Sequence, residues 1–456
     1  MLEQSIQLPV IPGHQSLLHY FAHFFEEQKN ADIPLRFVVT KTDKSYYHCE
    51  IGCLKNDSPI SERHDESIFR FRKRKIENTS RFNALLVVPT GIGAEIGGHA
   101  GDAGPVARMI AEVCDTLILH PNVVNASDIN EMTENTLYVE GSVISRLLMG
   151  TIGLQKVRGN RVLMIIDNHK LPIFVNAAIN SVNAARATYG LNCPEIVKLD
   201  PPVRMSAEYS ESGRAVGRID GLEGLFQVLD QYKDQFDAIA LSSVIRVPRH
   251  YHMDYFLSEG EMLNPWGGVE AMLTHAISHY YNLPSAHSPM FELEEIANID
   301  PGIVDSRMAA EAVSLTFLQC ILKGLQRSPR IIADQDSFLN NDVLSAEDIS
   351  CLIIPDGCVG LPTLAALEQG IKVIAVRDSK SIVRNDLTIL PWNQDQLYIV
   401  DNYLEAVGLI AAIKAGVSVE SVKRPIHSAK ITLKTSDIHN IDNFNLLPAS
   451  SLQAPQ

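Results

Sequence analysis

The sequence predicts an α/β protein, with two Rossmann-like β-loop-α-β units on mostly parallel sheet and a small amino-terminal α+β region. Three observations carry the prediction. Short apolar runs alternate with stretches of helical periodicity, such as ALLVVPT, PVARMIAEVC and TLILH in succession. The runs are apolar at every position, as strands covered on both faces are. Glycine-bearing loops lead from strand to helix at two places, GIGAEIGGHAGDAGP and DGCVGLP.

The elements follow in chain order. HQSLLHYFAHFFEEQ repeats its apolar residues at helical spacing after a Pro/Gly-bounded leader, and PLRFVVT and SYYHCEI read as strands, so residues 1–80 form the α+β appendage. Within it SIFRFRKRK alternates Phe with basic residues, which suits an edge strand protected by charge or an anion-contacting arm. Residues 81–245 hold the first Rossmann-like unit: the three segments above, then strand VLMIIDN, a helix from PIFVNAA to Gly190, strand EIVKLD, helix GLEGLFQVLDQY and strand FDAIALSSVIRV. Residues 246–300, rich in His, Tyr, Met and Pro, interrupt the alternation. Residues 301–425 open with one long helix from Val304 to Leu325 and continue into SCLIIPDGCVGLPTLAALEQGIKVIAVRD. There Pro362 suits a helix start and Gly370 a helix stop. Residues 426–456 contain one strand-like run, AKITLKT, and a polar tail.

At 456 residues and 46% apolar content the chain has material for about three domains. A net charge of −15 opposes nucleic acid and anionic membrane surfaces, so neither is an expected partner. No run approaches the roughly 18 apolar residues of a membrane span, and MLEQSIQLPV has no basic leader. The seven Cys are scattered rather than framed for disulfides, which predicts a cytoplasmic protein.

Six glycines fall between positions 91 and 104 (Gly91, Gly93, Gly97, Gly98, Gly101 and Gly104). Glycines behind a buried strand let the backbone approach a ligand, and the helix that follows offers N–H groups to an anion. The spacing Gly91-x-Gly93-x-x-x-Gly97 departs from the dinucleotide fingerprint, and the next strand ends in His120 rather than an acid, so NAD is not expected. The Walker pattern is absent. His99, Asp102 and Glu95 are the catalytic candidates of this loop, with Asp102 placed to orient His99 as a base. Thr90, Gly91, Gly93, Gly97 and Gly98 are its anion-binding candidates, joined by His120, Asn122 and Asn125 at the next strand's end. Glu140-Gly141-Ser142 and Asp167-Asn168-His169 close other strands and are secondary candidates of the same kind. Gly360 and Thr363 offer a second helix N-terminus, and Arg249 a carboxylate or phosphate clamp. Cys358 there is either an apolar filler or a thiol of lowered pKa.

Five of the fifteen His lie between 250 and 287. His250, His252 and Asp254 share one side if extended, and His275 and His279 share a helix face, so these four His could hold Zn²⁺ or Fe²⁺. His287 follows, and Glu270 lies in NPWGGVEAMLTH.

The segments VPTGIGAEIGGHAGDAGPVAR, HPNVVNASDINEM, LYVEGS, NPWGGVEAMLTH and IPDGCVGLPTLAALEQGI resemble a family catalogued as a domain of unknown function, from cyanobacteria and photosynthetic eukaryotes. The resemblance spans nearly the whole chain and implies a soluble protein of a photosynthetic cell without naming an activity. Thr90-Gly91 with Glu95 and Gly101-Asp102-x-Gly104-Pro105 are similar to the Thr-Gly and Asp-Gly-Pro loop of the D-glutamate cyclase family. The spacing differs, so no catalytic residue carries over; the similarity implies a small carboxylate.

The expected function is acid–base chemistry of lyase or isomerase type on a small anionic metabolite, carboxylate or phosphorylated. Three alternatives stand beside it: a metal-dependent hydrolase or lyase at the His cluster, a sugar-nucleotide transferase or epimerase, and a non-catalytic metabolite-binding regulator. The oligomeric state stays open, a homo-oligomer included.

Overall fold

Strands that are apolar at every position need cover on both faces, and the chain meets that need with two parallel sheets. The computed structural model describes residues 1–433 apart from 13–14, 28–31, 56–66, 314–315, 335, 337 and 339–341. The first sheet has six parallel strands in the spatial order Leu397–Val400, Lys372–Val376, Ile349–Pro355, Asn83–Leu86, Thr116–Leu119 and Thr136–Tyr138. Every residue of its strands Ile349–Pro355, Asn83–Leu86 and Thr116–Leu119 is buried. The second sheet lays Asn192–Leu199, Arg161–Asp167, Ala238–Arg246 and Ser285–Met290 in parallel. The antiparallel pair Arg204–Tyr209 and Ala215–Asp220 joins it at Met205↔Ile245 and Ser206↔Arg246. The α/β class therefore holds.

The pairing cuts across the segments expected from the sequence. Asn83–Leu86 pairs with Ile349–Pro355, so the two glycine-bearing loops belong to one sheet. From Asn83–Leu86 the chain crosses to the strand on one side, and from Ile349–Pro355 to the strand on the other. Their boundary is a topological switch point, where adjacent loops diverge and leave a crevice.

The amino-terminal leader is a strand, Leu2–Pro9, antiparallel to Tyr46–Leu54, which pairs in turn with Ile33–Thr42. Gly360 and Val359 add to Val38 and Val39, tying this sheet to the second glycine-bearing loop. The helix Leu17–Glu26 starts where the Ser16 hydroxyl accepts from the His19 N–H, at 3.2 Å, and packs Phe21 on Phe37 with ring centres 4.8 Å apart.

Four local expectations change. SIFRFRKRK forms no strand: Arg74 donates to the carbonyls of Ile349, Gln369 and Gly370 at 2.7, 3.1 and 3.2 Å, which engages its guanidinium at a helix end instead of an external anion. The helix expected over Val304–Leu325 is broken into Ala309–Ala312 and Leu318–Gln326. Between them Phe317 is left-handed, and Asp128 accepts from Thr316 Oγ1 and from the Gln319 N–H, pulling the chain out of line. His250 and His252 lie at the start of a helix, Tyr251–Leu257, not on an extended segment. Residues 429–433 of AKITLKT form no strand, and the rest of that run lies outside the described residues.

Candidate functional site

A cavity of about 250 Å³ opens at the switch point. Thr90, Gly91 and Gly98 of the glycine-rich loop line it, as do His120, Asn122, Asn125, Gly360 and Thr363. All of these are candidates from the sequence; Arg36, Arg146, Arg214, Glu140, Glu270, His275, His279 and His287 form the charged and titratable part of the wall. Two glycines make the approach of the sheets possible. Gly91 has φ of +79°, and a Cβ there would sit 2.5 Å from the Ala215 carbonyl oxygen; one on Gly268 would sit 2.0 Å from the same atom. Side chains at either position would force the second sheet's hairpin off the loop.

Three helices begin at the wall: Gly141–Leu148, Gly267–Tyr281 and Leu361–Gln369. At the Gly267–Tyr281 helix the Asn264 amide oxygen accepts from the Trp266 and Gly267 N–H groups at 3.0 and 3.3 Å, whereas the Leu361–Gln369 helix has no side-chain cap and leaves its positive dipole end open to negative charge. Glu140 caps the first, accepting from the Ser142 and Val143 N–H groups at 2.9 and 3.4 Å and from the Ser142 hydroxyl. Glu140 Oε1 also contacts His275 Nδ1, forming a buried carboxylate–imidazole pair. Burial alone would raise the Glu140 carboxyl; the His275 charge and the hydrogen bonds from His275 and Ser142 outweigh it and hold the carboxyl below its ordinary range.

A second such pair joins Glu270 of the Gly267–Tyr281 helix to His287 of the strand Ser285–Met290. His287 Nδ1 is 2.9 Å from Glu270 Oε1, and His287 Nε2 is 2.7 Å from the Ser243 hydroxyl. His120 accepts from the Val88 N–H through Nε2 at 3.1 Å, which leaves the proton of the neutral ring on Nδ1. Burial pushes that ring down to about 4, so it is neutral at pH 7.

Arginines complete the charge pattern. Arg214 is fully buried between Glu3 and Glu50 at 2.8 and 2.9 Å. Arg146 holds the far end of the Gly267–Tyr281 helix through the Ser278 carbonyl and the Asn282 amide oxygen. Arg36 donates to the Gly268 and Thr90 carbonyls at 3.0 and 3.3 Å, and burial together with Arg214 pushes it down to about 10. Thr363 donates its hydroxyl to the Cys358 carbonyl at 2.9 Å and so has no proton left for an anion. Asn122 likewise donates to the Val88 and Gly97 carbonyls, shaping the loop, and Asn125 accepts from the Tyr138 hydroxyl.

The remaining candidates lie off the cavity lining. His99 Nδ1 is 2.8 Å from the Tyr255 hydroxyl, which donates to Glu311 at 3.0 Å. Asp102 accepts from the Gly97 N–H at 2.9 Å rather than orienting His99, and burial pushes it up to about 6. Glu95 pairs with Arg307 at 3.0 Å near the surface. These residues, with Gly93 and Gly97, build the loop. Arg249, His250 and His252 are also outside the lining; His250 packs edge-on to Tyr251 and His252 lies against Trp266. Of the four proposed metal ligands only His275 and His279 reach the wall. Among the described residues no three His, Cys, Asp or Glu side chains are grouped to hold a metal ion. Burial raises the Cys358 thiol, so it is an apolar filler.

An α/β fold with a mostly apolar, histidine-lined cavity at its switch point defines the class. The chain belongs to the family described as protein of unknown function (DUF3326), whose model matches residues 83–423. It is 35% identical over 340 residues to a Synechococcus protein named an uncharacterized lipoprotein, covering 73% of this chain and 91% of that relative. No solved structure matches the chain. The relative's name overturns the cytoplasmic expectation. That expectation rested on unpaired cysteines, and all seven are buried singly, where a thiol is protected whatever the redox state of its surroundings. No helix among the described residues is long and apolar enough to cross a membrane.

Proposed function

We propose that the protein is an enzyme that moves a proton on a small anionic metabolite, in a lyase or isomerase reaction, within the switch-point cavity. The observation that carries this reading is the Glu140–His275 pair, buried beside His120 at the wall where three helices begin. A carboxylate fixed on an imidazole makes a base whose conjugate acid is stabilised in place. His120, neutral and protonated on Nδ1, is suited to donate to an oxygen on which charge develops, and the uncapped N-terminus of the Leu361–Gln369 helix favours the same charge. The loop residues His99, Asp102 and Glu95 then support the wall and take no part in proton transfer.

The cavity volume favours this over the sugar-nucleotide alternative, since about 250 Å³ is below the roughly 300–1,000 Å³ of sites that hold drug-sized ligands. The test is deuterium incorporation from D₂O into carbon-bound positions of small carboxylates and phosphorylated metabolites, followed by NMR. Exchange that disappears in Glu140→Gln and in His275→Asn supports the reading. Binding without exchange across the panel replaces it with the regulatory one.

A further inference from the structure

We infer that the amino-terminal lobe is the specificity element of this cavity, and that Arg36 selects a singly charged carboxylate as its ligand. The inference rests on the proposed function only in placing the ligand in that cavity. The lobe lies outside residues 83–423, yet its strand Ile33–Thr42 supplies four consecutive wall residues, Leu35 to Val38. Its pairing with Val359 and Gly360 fixes that strand against the start of the Leu361–Gln369 helix, so the lobe is built into the site.

Arg36 is distinguished by what its neighbours already hold. Arg214 is engaged by two carboxylates and Arg146 braces the far end of the Gly267–Tyr281 helix, whereas Arg36 lies at the start of that helix and gives one N–H to each of two carbonyls. Among the described residues Arg36 has no carboxylate within 4.0 Å. A guanidinium carries five N–H groups in a planar fork, so three remain, and the fork matches a carboxylate through two parallel bonds. Glu140 and Glu270 share the wall with three arginines, of which Arg214 is neutralised by Glu3 and Glu50 and Arg146 is bonded at the Ser278–Asn282 helix end, so a dianion would meet both carboxylates with Arg36 as the nearest offset. Phe37, Ile68, Val87 and Ile92 supply an apolar surface for a short carbon chain. Together these favour a monocarboxylate over a phosphate.

The test titrates pyruvate, malonate and inorganic phosphate into the full chain by calorimetry, in the unaltered protein and in Arg36→Met, Arg36→Lys and Glu270→Gln. Pyruvate is expected to bind most tightly and to weaken on the order of 10- to 100-fold in Arg36→Met, as loss of a charge-assisted hydrogen bond implies. Arg36→Lys recovers part of that loss, which a purely structural brace between Thr90 and Gly268 would not, and Glu270→Gln narrows the gap between malonate and pyruvate. Circular dichroism confirms that each variant is folded; if Arg36→Met is not, the Lys variant and the order of the three ligands decide. Phosphate binding as tightly as pyruvate, no pyruvate binding, or affinity indifferent to Arg36 overturns the inference. Pyruvate binding through Arg36 without proton exchange on any substrate sinks the catalytic reading alone, and exchange unaffected by Arg36 sinks this inference alone.

Discussion

Glu311 offers a test of the structure that needs no substrate. Its carboxylate accepts from the Ala100 N–H at 2.7 Å and from Tyr255 at 3.0 Å, and so anchors the glycine-rich loop from across the chain. Burial pushes this carboxyl from 4.5 to about 7, against the lowering effect of those two hydrogen bonds and with help from Asp102 and Glu270. A carboxyl raised on folding keeps its full contribution below the unfolded value and loses it as pH climbs through the folded one. Between pH 4.5 and 7 the native chain therefore holds a proton that the unfolded chain has released, and stability falls by roughly 1.4 kcal/mol per pH unit. Over the gap of about 2.5 units this amounts to about 3 kcal/mol. Glu311→Gln has no such proton and keeps an acceptor for Ala100, so its stability relative to the unaltered protein should rise by about that amount from pH 4.5 to pH 8. Urea titrations of both proteins at half-unit steps measure the difference. Parallel stability–pH curves would refute the buried, protonated Glu311 and with it the account of how the loop is anchored.

Three further outcomes are expected. Asp167→Asn should stabilise the second sheet at pH 8 but not at pH 3.5, because burial pushes Asp167 from 3.8 to about 7 and its Oδ2 has no hydrogen-bond partner; the gap corresponds to up to about 4 kcal/mol in the same titration. Arg214→Met leaves Glu3 and Glu50 buried without their counter-ion and should cost about 3–5 kcal/mol, part of it regained on adding Glu50→Gln. In Gly141→Ala the new Cβ would lie 3.2 Å from His275 Cε1, so proton exchange should slow about tenfold while the melting temperature changes little; unchanged exchange would argue that His275 is not the base.

Much of the site was visible in the sequence as position and little of it as chemistry. The glycines after Asn83–Leu86 and the Pro-Gly loop after Ile349–Pro355 marked both loops of the switch point, since a sharp backbone path needs glycine whatever folds around it. His120, Asn122 and Asn125 marked a strand end in the same way, and Glu140 was visible as a residue closing a strand. The loop's own titratable residues, His99, Asp102 and Glu95, looked catalytic because they were close in sequence. Yet their partners Tyr255, Gly97 and Arg307 turn them away from the cavity. His250 and His252 were read with His275 and His279 for the same reason, and a helix start separates them.

The sequence by itself determined the α/β class, the two glycine-bearing loops and two helix stops, the left-handed Gly190 and Gly370. These depend on local propensity and on burial of each element's own apolar residues, and both are written within a dozen residues. Tertiary structure alone decided that strands more than 250 residues apart are neighbours, that Arg36 from the amino-terminal lobe reaches the cavity, and that Glu140 meets His275 and Glu270 meets His287. A side chain's charge and hydrogen-bonding capacity are fixed by its type, but its partner is fixed by the packing of distant elements, which no local pattern specifies.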